Sequence, residues 1–118
     1  MLHDHAMTRP RFAAFVLVVF AAGFAAYQPA LQSGFFWDDD VFITANPQMH
    51  SLGGLASIWF EPSSSPHYYP LLLTVFWVLS ACFGDSAAGY HFANILLHAV
   101  NAVLLFLLGR RLGLPHAW

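Results

Sequence analysis

The sequence predicts an all-α membrane protein: two transmembrane helices joined by an external loop that contains short juxtamembrane helices. Three observations predict it. Of 118 residues, 58% are apolar and only 8% are charged, whereas soluble domains carry roughly a quarter charged residues. Two apolar stretches are long enough, at about 1.5 Å per helical residue, to cross about 30 Å of hydrocarbon. The basic residues are Arg9, Arg11, Arg110 and Arg111, one pair beside each long apolar stretch. Aromatic residues make up 17% of the chain, which suits segments that meet lipid headgroups. With a formal charge of -2 and no basic run, nucleic-acid binding has no electrostatic footprint. The single cysteine, Cys82, excludes an internal disulfide. Lying in an apolar stretch, it reads as a buried, inert thiol.

Each element follows in order. Residues 1–11 are polar, end in Arg9-Pro10-Arg11, and read as a cytoplasmic N-terminus. Residues 12–31 carry no charge and form the first transmembrane candidate. A cleaved secretory signal is the rival reading, with the arginines as its n-region. The run is long and Ala25-Ala26 is a loose cleavage site, which favours an uncleaved signal anchor. Residues 32–69 form an external acidic loop holding Asp38, Asp39, Asp40 and Glu61 and no Lys or Arg. Within it, a short surface helix is predicted near 52–60, with Leu55, Ile58 and Trp59 on its apolar face.

Pro70 can open the next helix and Gly84 can close it. Residues 71–83 would extend only about 20 Å as a helix, so 70–84 reads as juxtamembrane or re-entrant rather than spanning. Asp85-Ser86 can cap a second transmembrane helix over 86–112, stopped by Gly113 and Pro115. Residues 113–118 then form a cytoplasmic turn. The positive-inside rule wants both arginine pairs in the cytoplasm, which requires two crossings and puts residues 32–89 on the other side.

His91, Asn94, His98 and Asn101 fall within an arc of roughly 80° on the last helix. Polar groups in hydrocarbon need partners, so this is a helix-packing stripe. Metal or haem ligation would need ligands from another helix. The first span offers only Tyr27 and Gln28, and no metal site is assigned. The triplet Asp38-Asp39-Asp40 follows Phe35-Phe36-Trp37, aromatics that would fix its depth at the interface. Crowded carboxylates can serve as a proton acceptor or a cation site. The plainer reading is a solvated turn in which one Asp caps a short helix.

A series of short strings bears on that choice. They are Gly34-Phe35-Phe36-Trp37-Asp38-Asp39-Asp40, Ile43-Thr44, Asn46-Pro47, Gly54-Leu55, Ile58-Trp59-Phe60, Tyr68-Tyr69-Pro70-Leu71, Gly89-Tyr90-His91 with the stripe, and Arg110-Arg111-Leu112-Gly113. In this order they resemble the N-terminal part of multi-spanning membrane proteins with C-terminal tetratricopeptide repeats. Those proteins are related to the transmembrane O-mannosyltransferases of the C-type glycosyltransferase superfamily. The resemblance covers residues 12–118.

The resemblance implies an enzyme that moves a sugar from a polyprenyl-phosphate donor to an acceptor hydroxyl at the outer membrane face. It implies an essential acid in the first external loop: Asp39 as base, with Asp38 or Asp40 orienting the acceptor or a divalent cation. Relatives carry an Asp-Glu pair where this chain has three Asp. Tyr69 and His91 are implied as substrate-binding residues. Implied partners are the bilayer, a polyprenyl-phosphate-linked sugar, and the further helices and repeats of a longer parent chain. On this view the chain is an N-terminal fragment, inactive alone. Its lack of lysine against four arginines, with abundant Ala and Leu, points to a bacterial plasma membrane, or to the endoplasmic reticulum if eukaryotic. The alternatives are a membrane-anchored interaction or assembly subunit without catalysis, and a transporter or channel fragment. A mostly irregular loop of nearly forty residues weighs against the last.

Overall fold

The computed structural model describes residues 7–65 and 67–114, and among them every regular element is helical. Four α-helices follow one another: α1 (Arg9–Tyr27), α2 (Leu52–Phe60), α3 (Pro70–Phe83) and α4 (Ala87–Arg111). The chain forms two compact units, one of Met1–Pro29 with Ala93–Trp118, the other of Ala30–Phe92. α4 contributes 87–92 to the second and 93–111 to the first.

In the first unit, α1 begins at Arg9, three residues before the apolar run, because Pro10 is tolerated in a first turn where its missing N–H costs nothing. It keeps α geometry to Tyr27 and then tightens into a 3₁₀ turn over Gln28–Gln32. Pro29 explains the change: it has no N–H to donate, and its ring crowds the carbonyl four residues back. The whole helical path, Arg9–Gln32, has a mean hydropathy of 1.8, and α4 reaches 2.0, so both are long and apolar enough to cross a membrane.

α1 buries no residue, while α4 buries Ile95 and Ala99 in this unit. The rings of Phe15 and Phe106 lie 4.3 Å apart and those of Tyr27 and His98 5.6 Å, which makes the two helices antiparallel. Arg110 and Arg111 sit in the last turn of α4, at the negative end of its dipole. The helix closes with Gly113 at φ 64, Leu114 N–H on the Gly109 carbonyl and Gly113 N–H on that of Arg110. This is the paired bonding of a Schellman cap, and a left-handed residue there favours glycine.

The second unit has a small core of Met49, Ile58 and Leu73, flanked by Phe42, Phe76 and Trp77. Asn46 caps the turn Pro47–His50 by accepting from Gln48 N–H, and Ser51 caps α2 by accepting from Gly54 N–H at 2.9 Å. A β-carbon on Gly54 would collide with the Gln48 backbone, so α2 approaches that turn as closely as it does only with glycine there. Ile58 is buried and Leu55 half-buried, but Trp59 is 44% exposed. Its indole N–H instead donates to Thr74 Oγ1 at 3.0 Å, and Trp77 donates to the Ser51 carbonyl at 2.9 Å, so two indoles tie α2 to α3. α3 turns Leu73, Phe76, Trp77 and Ser80 inward, the i, i+3, i+4, i+7 face. Cys82 lies off that face and is exposed, which corrects the expectation of a buried thiol.

Candidate functional site

The acidic triplet sits in the second unit, between an irregular segment and a widened helical turn. Trp37 has φ 55, an uncommon conformation for a bulky residue. It reverses the chain so that Asp39 faces back toward Phe36. Asp39 Oδ2 accepts the Phe36 N–H at 2.7 Å, and Asp39 N–H donates to the Phe36 carbonyl at 3.3 Å. The next turn is widened: Ala45 N–H reaches the Asp40 carbonyl at 2.8 Å, five residues back. Such π-type turns are rare and recur at functional sites.

The three carboxylates therefore have different settings. Asp39 is half-buried and pinned by a backbone donor. Asp40 is exposed and accepts from Thr44 Oγ1 at 3.1 Å. Asp38 is exposed, and its carboxylate takes no hydrogen bond among the described residues. Phe36 and Trp37, 76% and 83% exposed, stand beside them with ring planes 8° from parallel and centroids 6.3 Å apart. Among the described residues no three His, Cys, Asp or Glu side chains gather as a donor set for a metal ion.

Behind the triplet, Phe35 meets the edge of the buried Tyr90 ring at 5.3 Å, and Tyr90 in turn meets Phe76 at 6.2 Å. His91 Nε2 lies 3.2 Å from Ser33 Oγ and 3.3 Å from the Gly34 carbonyl. Tyr69 is half exposed at the entry to α3 with its ring against His67 at 5.5 Å, and no hydrogen bond or ring contact joins it to the acids. The rest of the polar stripe belongs to the first unit. There Asn94 and His98 line a cleft of about 160 Å³ with Tyr27 and Ile95, and Asn101 is exposed.

Two parts of this arrangement escaped sequence reasoning. The Ser33–His91 pair joins residues 58 apart, and no local pattern announces it. The Phe36–Asp39 pair has the three-residue spacing of a capping box, but Phe36 is not a usual cap residue, so the pattern goes unnoticed.

No protein-family model matches the chain, and no solved structure matches it. It is 33% identical over 101 residues to protein O-mannosyl-transferase Tmtc1 of Drosophila melanogaster, a match covering 78% of this chain and 12% of the fly protein. It is 27% identical over 106 residues to a protein O-mannosyl-transferase of Caenorhabditis elegans, covering 82% of this chain and 15% of the nematode protein. This chain is related to the protein O-mannosyl-transferases. It spans less than a sixth of the length of either of these O-mannosyl-transferases, both of which are animal proteins.

Proposed function

We propose that this chain is the N-terminal membrane part of a glycosyltransferase that moves a sugar from a polyprenyl-phosphate donor to an acceptor hydroxyl at the outer membrane face. The names of its two relatives specify a mannosyl group carried to a protein oxygen. The observation that carries the assignment to the triplet is the Asp39 carboxylate, held at one oxygen by the Phe36 N–H at 2.7 Å among exposed aromatic and acidic side chains.

A carboxylate has two acceptor oxygens. With one fixed by the backbone, the other takes the proton of the acceptor hydroxyl as that oxygen attacks the anomeric carbon. The new glycosidic bond forms, the bond from the anomeric carbon to the phosphate oxygen breaks, and its electron pair leaves with the polyprenyl phosphate. Asp39 ends protonated. Either Asp38, whose carboxylate takes no hydrogen bond among the described residues, or Asp40, which accepts from Thr44 at one oxygen and keeps the other, orients the acceptor hydroxyl.

In this reading further helices and tetratricopeptide repeats of a longer chain complete the enzyme. The animal origin of both relatives favours the endoplasmic reticulum over a bacterial plasma membrane. The test is Asp39→Asn in the full-length enzyme, measured for transfer of mannose from polyprenyl-phosphate mannose and for membrane insertion. Loss of transfer with normal insertion is expected, and wild-type transfer would sink the assignment.

A second reading, an interaction or assembly subunit, draws on the exposed Asn94, His98 and Asn101 of α4. Uncovered polar groups on a spanning helix call for a partner helix.

A further inference from the structure

We propose that His91 is a positioning residue for Asp39 rather than a substrate ligand, an inference that rests on reading Asp39 as the base. The hydrogen bonds fix the tautomer. Ser33 Oγ lies 2.8 Å from the Ala30 carbonyl and donates its single proton there. Toward His91 that hydroxyl is an acceptor. The Gly34 carbonyl can only accept. Both face the same ring nitrogen, at 3.2 and 3.3 Å, so Nε2 carries the proton and shares it between them. Nε2 is thereby committed to the chain, and only Nδ1 keeps a lone pair.

The bond holds a stretch of chain that little else holds. Gly34 has open space around the position its side chain would occupy. Ser33 N–H donates back to the Ala30 carbonyl at 3.1 Å, and the next backbone N–H with an acceptor among the described residues is that of Phe36, which donates to Asp39. Consecutive residues of α4 grip this stretch: His91 takes the Gly34 carbonyl and Tyr90 the Phe35 ring. Phe36 follows directly, so the grip at 34 and 35 sets where its N–H points. That N–H fixes one oxygen of Asp39 and thereby aims the other. His91 thus acts on the carboxylate through Gly34 and Phe36.

Two variants of the full-length enzyme in lipid nanodiscs test this. His91→Gln keeps an N–H donor near the Nε2 position, and His91→Leu removes it while suiting a helix equally well. Hydrogen exchange, followed by mass spectrometry over peptides spanning 33–39, should speed up about tenfold in His91→Leu and stay near wild type in His91→Gln. Mannosyl transfer should follow the same order. In His91→Leu kcat should fall about tenfold with KM little changed, and in His91→Gln it should be largely restored. Unchanged exchange in His91→Leu overturns the proposal. So does a raised KM in both variants, which would make His91 a substrate ligand. Asp39→Asn run alongside keeps the two ideas apart: its full activity overturns the base, whereas exchange at 33–39 judges the grip of His91 on that segment.

Discussion

Asp39 and Phe36 close a reciprocal pair, carboxylate to N–H at 2.7 Å and N–H to carbonyl at 3.3 Å. The contact satisfies a backbone donor at the start of a helical turn, as a capping-box acid does. The same side chain therefore has a structural duty and, in the proposed mechanism, a chemical one, and the two can be separated by substitution.

Asp39→Asn keeps an oxygen that can accept the Phe36 N–H but cannot take a proton from a hydroxyl, so it should lose transfer and keep stability. Asp39→Ala loses both, with a stability cost of about 1–2 kcal/mol typical of a deleted cap. Asp38→Ala, at an exposed side chain with no hydrogen bond among the described residues, should stay within about 0.5 kcal/mol of wild type. Thermal unfolding of the three variants in one detergent checks the order. Equal melting temperatures for Asp39→Ala and Asp38→Ala would remove the structural duty.

The two glycines at the start of α2 make a second contrast. A β-carbon at Gly54 would meet the Gln48 backbone, which has no flexible end to yield, whereas one at Gly53 meets only Ser51 Oγ at 3.8 Å. Gly54→Ala should therefore destabilise by about 1–3 kcal/mol through overpacking. Gly53→Ala should be neutral or stabilise by up to about 1 kcal/mol through helix propensity. The same unfolding measurement decides it, and a neutral Gly54→Ala would show that α2 can shift away from the turn.

The all-α class was legible in the sequence because two long uncharged runs leave the backbone few other ways to satisfy itself in lipid. What escaped was set by contacts between distant residues or by local strain. Trp59 belongs to the apolar pattern of α2, yet its indole N–H draws it out to Thr74. Cys82 sits in an apolar run, yet the inward face of α3 is taken by residues at helical spacing from Leu73. The left-handed Trp37 and the widened turn after it have no sequence pattern, since nothing in Trp-Asp-Asp-Asp requires either. His91 reads as part of a packing stripe by its spacing, and as a substrate-binding residue only through the family resemblance. Its acceptors, Ser33 and Gly34, lie too far away in the chain to be guessed.

The stripe on α4 offers a third prediction, under the reading that another helix covers it. Asn94, His98 and Asn101 are exposed on a helix of mean hydropathy 2.0. Replacing Asn94 and Asn101 by Leu removes two interhelical contacts worth about 0.6 kcal/mol each, so association should weaken about eightfold. Co-purification after crosslinking in native membranes reads this directly. Unaltered recovery would mean that the stripe has no partner helix, and that the cleft beside Tyr27 and His98 meets water or lipid headgroups instead.

Topology is the prediction on which the chemistry most depends, because a base can meet a lipid-linked donor only on the donor's side of the membrane. Cys82 is exposed and must be replaced by Ser before single cysteines are scanned with a membrane-impermeant thiol reagent. Ser63 is a suitable reporter on the loop, being exposed and outside the bonds that Ser57 and Ser64 make with Gln48. After α4, Leu114 is preferable to Gly113, whose φ of 64 would strain a cysteine. Two crossings, by α1 and α4 with α3 too short to span, predict labelling at Ser63→Cys and protection at Leu114→Cys in intact cells if the outer face is the cell exterior. In sealed microsomes the pattern reverses, because the lumen is then the protected side. Labelling at both positions, or at neither, would make α3 a third crossing, separate the arginine pairs across the membrane against the positive-inside rule, and take away the main ground for assigning the acidic loop to sugar transfer.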